Sequence, residues 1–229
     1  MKHFLPYLRR MWATDVALSM LLIFLLIFIF LLFPLGKVAS VKFLTNLVFS
    51  FILITGAVAA AKSRILKRLV LVWGILAFLF IWVRHVFPHQ IVTIGTICLS
   101  LAFLVLLAFL ILGQTFRDGP TTSHRIMGSV AVYLLIGVIW SLAYQLTALS
   151  VPNAFIVQAP STSSQTQTLE SHLFYFSFVT LTSLGFGDIV AVHPMSRMLV
   201  ILEGIAGQLF PVILIARLVS LHLETKRKK

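Results

Sequence analysis

Long apolar runs separated by short polar breaks make up most of the chain. A helix needs roughly 20 apolar residues to cross a bilayer. Six runs come to about that length: Ala13 to Phe33, Val41 to Ala61, Ile65 to Val83, Ile91 to Leu112, Ile126 to Leu149 and Pro194 to Leu223. The pattern predicts an all-α integral membrane fold with six transmembrane helices. Asp15 suits a cap or first-turn acid of the first helix. Lys67 and Arg68, at the start of the short third run, suit snorkelling. Pro194 suits the first position of the last helix, where no N–H partner is needed. The basic N-terminus followed by an apolar run imitates a signal peptide, but the run is too long and no small-residue cleavage site follows it.

One segment departs from this pattern, Ser150 to His193. It opens with a Ser/Thr/Gln-rich tract, "QAPSTSSQTQT", which reads as a flexible extracellular loop. Glu170 to Thr182, "ESHLFYFSFVTLT", is apolar but too short to cross. The polar, glycine-bearing "SLGFGDIVAVHP" follows. A short helix and an irregular segment between two spanning helices form a re-entrant loop. Irregular backbone at membrane depth is tolerated only where protein buries it or where it lines a watery cavity. The segment is therefore expected to face water or ions.

Composition agrees with lipid as the solvent. The 229 residues are 60% hydrophobic and 10% charged, with a mean hydropathy of +1.06, too few charges to cover a soluble domain. The net charge of +12 could suggest nucleic acid, but its placement argues against that. With the N-terminus inside, the inner breaks hold Lys2, Arg9, Arg10, Lys62, Arg64, Lys67, Arg68, Arg117 and Arg125, and the tail adds Arg217 and Lys226 to Lys229. Only Lys37, Lys42, Arg84 and Arg197 fall outside. This asymmetry predicts a multi-pass protein with both termini cytoplasmic and basic residues against anionic headgroups, with no nucleic acid as partner. Cys98, the single cysteine, reads as a buried thiol, without a disulfide partner or a thiolate metal cluster. No Asn-x-Ser/Thr acceptor occurs, which with the compact layout suggests a bacterial cell (plasma) membrane.

The chemistry concentrates in Ser183-Leu184-Gly185-Phe186-Gly187. For successive carbonyls to face one axis, alternate residues must take backbone angles that side chains resist. Gly185 and Gly187 supply that freedom. Leu184 and Phe186 then point away to pack the wall, and Ser183 adds its hydroxyl oxygen. Rings of such oxygens replace the hydration shell of a monovalent cation.

Thr180-Leu181-Thr182-Ser183-Leu184-Gly185-Phe186-Gly187-Asp188 resembles the pore signature of potassium channels, T-x-T-T-V-G-Y-G-D. The order of helix, re-entrant loop and helix is similar too, over about Ile126 to Leu223. The resemblance implies a homotetramer, since one chain carries one filter strand and four are needed around an ion. It implies K+ binding by the carbonyls of Ser183, Leu184, Gly185 and Phe186, bounded by Gly187, with Tyr175, Phe176, Val179, Thr180, Thr182 and Asp188 as filter support. Phe174, Tyr175, Phe176 and Phe178 would form an aromatic cuff. No organic cofactor is implied. Three departures stand out. Ser183 replaces Thr, Leu184 replaces Val, and Phe186 replaces Tyr, losing a hydroxyl bond of about 1 kcal/mol per subunit. Many bacterial relatives carry a Glu at the position of Val179, so no carboxylate there shares a proton with Asp188.

Gly207 and Pro211 lie four apart in the last run. Pro211 cannot donate to the Gly207 carbonyl, so a bend is expected there, either as a gating hinge or as a fixed kink widening the cavity that Gln208 would line. Glu203 is an intramembrane carboxylate, read either as steadying the short helix, as serving proton-sensitive gating, or as a protonated or hydrogen-bonded acid near the outer end. His85, His172 and His193 lack metal-ligand spacing.

Ile91 to Leu112 holds no Lys or Arg. Each charge moved through the field supplies about 2.3 kcal/mol per 100 mV, so steep voltage gating is not expected. The short tail predicts no cytoplasmic ligand-binding domain. The layout reads as residues 1–116, a four-helix membrane domain; 117–125, a linker; 126–223, a pore domain; and 224–229, a basic tail. A K+ channel subunit is the leading reading and a weakly selective Na+/K+ pore its nearest rival. An uptake transporter would show repeated pore loops, and an intramembrane enzyme paired ionisable groups. The six acids, Asp15, Asp118, Glu170, Asp188, Glu203 and Glu224, form no such pair in sequence.

Overall fold

In a computed structural model of the chain, residues 18–32, 39–60, 64–86, 89–115, 123–158 and 169–227 are described. Helix α1 covers residues 18–32, and its last part, Ile27–Leu32, winds as π-helix. Nothing in IFIFLL explains the wider winding. Then come α2 (Ala39–Ala60), α3 (Arg64–Val86), α4 (Gln90–Thr115), α5 (Ser123–Ser150), strand β1 (Phe155–Val157), α6 (Leu169–Leu181), β2 (Ile189–Ala191) and α7 (Pro194–Arg227). Asp15, the inner basic residues Lys2, Arg9, Arg10, Lys62 and Arg117, Lys37, residues 159–168, and Lys228 and Lys229 lie outside the described residues.

Among the described residues three helices are long and apolar enough to cross a membrane: Gln90–Gly113 of α4, Ile126–Ser150 of α5 and Pro194–Arg217 of α7. Shorter apolar stretches occupy Leu18–Phe30, Leu44–Gly56 and Val72–Arg84. Each helix follows from an unbroken apolar run whose backbone must satisfy its own hydrogen bonds in lipid. The short α6 ends where the polar stretch starts.

One apolar core joins the first helices to α5 and α6. It runs from Leu21 and Leu25 of α1 through Ile52 and Leu53 of α2, then Phe103, Leu104 and Leu107 of α4, to Leu135 of α5 and Phe174 of α6. A second, smaller core sits beneath the strands: Tyr144, Leu173, Phe176 and Ile189, with Phe155 and Trp140 against it.

One expectation is corrected. Cys98 is exposed, not buried. It lies on the α4 face that carries Ile91, Val105 and Phe109, all exposed, and so turns away from the helical bundle. The tract read as a flexible loop lies, past Gln158, outside the described residues. Just ahead of it, Phe155–Val157 pairs antiparallel with Ile189–Ala191, in the register Phe155↔Ala191, Ile156↔Val190, Val157↔Ile189.

Candidate ion-conducting site

Helix α6 starts with Glu170 in its first turn, where a negative charge suits the dipole. Glu170 also pairs with Arg84 of α3, a tie between the first helices and the pore helix that the charge count alone did not reveal. The C-terminal end of α6 closes as a Schellman motif. Leu184 N donates to Val179 O at 2.9 Å, and Ser183 N to Thr180 O at 2.9 Å. The residue at the turning position of this motif is left-handed, usually Gly; here it is Ser183, with φ 59°. The helix stop is thus also the first residue of the glycine-bearing stretch.

The backbone then alternates in hand. Ser183, Gly185 (φ 55°) and Gly187 (φ 78°) have positive φ, while Leu184 and Phe186 do not. Such alternation turns successive carbonyls to one side. Among the described residues no hydrogen-bond donor reaches the carbonyls of Ser183 to Gly187. Residues 183–187 are exposed, so these carbonyls are open to accept from water or to meet an ion. Leu184 and Phe186, expected to pack a wall, are 61% and 66% exposed in a single protomer. Among the described residues no group of three or more His, Cys, Asp or Glu could hold a metal ion.

The supporting residues sort onto different faces. The aromatic run divides. Phe176 is packed by Tyr144 (5.3 Å between ring centroids) and Phe155 (5.8 Å) behind the filter. Phe174 and Phe178 contact each other at 4.9 Å on the side facing the large core, and Phe178 fills the space where Gly137 lacks a side chain. Tyr175 turns the other way, toward the Asp188 carboxylate. Partial burial, and then that carboxylate, hold its phenol above the usual tyrosine value of 10.0. Asp188 therefore faces a hydroxyl from α6 although Val179, which is buried, offers no carboxylate. Thr182 Oγ1 donates to Phe178 O at 2.6 Å.

The outer mouth is fastened by β1 and β2. Gln158 N donates to Asp188 O at 2.7 Å and Val192 N to Ala154 O at 3.1 Å. Ser196 Oγ lies 2.8 Å from Ala154 O, and Arg197 Nε donates to Ala191 O at 3.2 Å. His193 caps α7, its Nδ1 accepting from Met195 N at 3.2 Å.

Helix α7 passes unbroken through Pro211. A Cβ built on Gly207 would collide with the Leu181 carbonyl oxygen at the end of α6. Gly207 is therefore a close-packing position, a role that the hinge and kink readings both missed. Tyr133 of α5 donates to the same Leu181 oxygen at 3.3 Å and stacks on Phe210. Gln208 Nε2 donates to Ser183 Oγ at 2.6 Å, so the inner helix touches the hydroxyl that begins the filter. Glu203 is fully buried and bonds Tyr144 of α5 and Ser177 of α6.

Residues 131–223, from within α5 to within α7, match a family model described as an ion channel. This part of the chain is an ion channel domain. The match spans most of α5, all of α6, the glycine-bearing segment and most of α7. Together with the apolar helices it supports a membrane protein with an ion channel domain. Comparison with curated proteins and with solved structures returned no match.

Proposed function

We propose that the chain is a subunit of a potassium-selective channel, a homotetramer that conducts K+ passively through Ser183, Leu184, Gly185, Phe186 and Gly187. The observation that carries this is the run of exposed carbonyls without donors, on a backbone of alternating hand. In this reading K+ is held by the carbonyls of Ser183 to Phe186 and by the Ser183 hydroxyl, with Tyr175, Phe176, Val179, Thr180, Thr182 and Asp188 as filter support. Gly207, Gln208 and Pro211 form the cavity side. Six transmembrane helices cross the plasma membrane with both termini cytoplasmic. Residues 1–116 form a membrane domain that senses no voltage, since α4 carries no Lys or Arg, residues 117–125 a linker, residues 126–223 the pore domain and residues 224–229 a basic tail. Tetramerisation is supported by the exposed Leu184, Phe186 and α7 side chains, which neighbouring copies would cover. A second reading, a weakly selective Na+/K+ pore, is favoured by Phe186, which has no hydroxyl with which to brace the filter.

Purified protein in planar bilayers under opposed K+ and Na+ gradients separates these. Reversal at the potassium equilibrium potential is expected. Reversal near zero would establish the weakly selective pore, and absence of current would overturn both. Gly185→Ala is expected to insert and assemble but to lose conduction, because a side chain at φ 55° costs about 1–2 kcal/mol at the point where carbonyls must align.

A further inference from the structure

Glu203 is buried in the middle of three helices, and its partners are hydroxyls, not a cation. Tyr144 of α5 bonds one carboxyl oxygen. Ser177 Oγ of α6 lies 2.5 Å from the other. The same Ser177 oxygen lies 2.7 Å from the carbonyl oxygen of Gly137 on α5. This last approach exists because Gly137 has no Cβ to hold α6 away. The three contacts form a line: Tyr144, Glu203, Ser177, Gly137.

Each contact needs one proton between its two oxygens. Tyr144 brings one and Ser177 brings one, and the Gly137 carbonyl brings none. If Ser177 donates to Glu203, its approach to Gly137 sets two acceptors against each other. If Ser177 donates to Gly137, its contact with Glu203 lacks a proton unless the carboxyl carries it. All three contacts are hydrogen bonds only when Glu203 is protonated. The surroundings agree. An unpaired ionised carboxylate is costly to bury. The other titratable group within its electrostatic reach is Tyr133, and its neighbours one turn away on α7, Leu199, Val200, Ala206 and Gly207, are uncharged.

We propose that Glu203 is carried as a neutral acid and is a positioning residue of the pore. It donates its proton to Ser177, which donates in turn to Gly137 O, so that one carboxyl fixes α6 between α5 and α7 behind the filter.

Infrared spectra of the full chain in lipid nanodiscs at neutral pH test this without requiring that the pore conduct. A protonated-carboxyl carbonyl band is expected in the wild type and is expected to be lost in Glu203→Gln. A wild-type minus variant difference showing only ionised carboxylate would overturn the proposal. Ser177→Ala removes the acceptor and is expected to shift the acid band to higher frequency; an unmoved band would overturn the relay, and this test stands even if Glu203→Gln fails to assemble. The flux arm rests on the channel reading. Gln offers an acceptor to Tyr144 and a donor to Ser177, so Glu203→Gln should keep wild-type ion flux. Glu203→Asp is too short to reach both and should lose about fivefold or more, the equivalent of one hydrogen bond. Equal behaviour of the two variants would overturn the positioning role.

Discussion

Helices α4 and α7 are both long and apolar enough to cross a membrane, yet the chain covers them very differently. Of the spanning window, 44% is buried in α4 and 11% in α7. Helix α4 contacts its own chain mainly through bulky apolar residues, Phe103, Leu104, Leu107 and Ile111, beside the smaller Thr96, Ser100 and Ala108, and leaves one narrow stripe, with Cys98 and Phe109, exposed. Helix α7 does the reverse. Its buried positions are Ser196, Glu203 and Gly207, polar or small, while Ile201, Ile205, Leu209 and Val212 lie open. In lipid, apolar side chains gain little by meeting each other rather than acyl chains. Small and polar residues hold membrane helices together. A single exposed stripe is what lipid covers. Exposure on most sides of an inner helix leaves room for neighbouring subunits.

Substitutions can break or sharpen this contrast. The largest effect is expected at Gly207→Ala, whose Cβ meets backbone at Leu181. Backbone cannot swing aside as a side chain can, so a loss of about 1–3 kcal/mol is expected, read as a lower thermal midpoint in detergent together with reduced flux. Gly204→Ala, with nothing within 4 Å of its Cβ, should stay within about 0.5 kcal/mol of wild type. Next come Ile205→Trp on α7 and Val105→Trp on α4. Both residues are exposed in the protomer, but only the first should reduce tetramer on native gels, because overpacking penalises an interface and not a lipid contact. Equal tolerance would undo the distinction.

Smaller effects are expected at the rim. Tyr175→Phe removes the tie to Asp188, worth about 0.5–1 kcal/mol at a half-exposed site. The raised phenol fixes the sign. Stabilisation is complete below the ordinary tyrosine value and is lost as pH climbs through the raised one. Thermal scans should thus show an alkaline loss in the wild type that Tyr175→Phe lacks, and no difference in slope near neutrality. The least effect is expected at Arg84→Ala. Its pair with Glu170 is partly exposed, so about 0.2–1 kcal/mol is at stake, and the difference should fade in high salt.

The helices were readable because an apolar run of twenty residues has few alternatives in lipid, and the alternating backbone of residues 183–187 because two glycines two apart signal alternating hand. Cys98 was misread for a matching reason. In an all-apolar helix no polar stripe marks which face meets the bundle. The β1–β2 pairing escaped because three-residue strands are too short to show alternation, and its partners lie more than thirty residues apart. Glu203 was visible as an anomaly, but its partners are an ordinary Tyr and an ordinary Ser on other helices, which no local spacing singles out. Gly207 was visible too. What it packs against was not, since a glycine that bends a helix and one that admits a neighbour look the same in one dimension.

Ser183 both ends α6 and starts the oxygen ladder, so helix and ladder share a joint of zero length. No slack residue lies between them to absorb a twist. Each residue added to α6 would swing the ladder by about 100°, and Ser177 would leave Glu203 by the same rotation. In the proposed channel the diameter of the conducting hole is then inherited from how the short helix is clocked against its neighbours, much as the jaw of a wrench follows its handle.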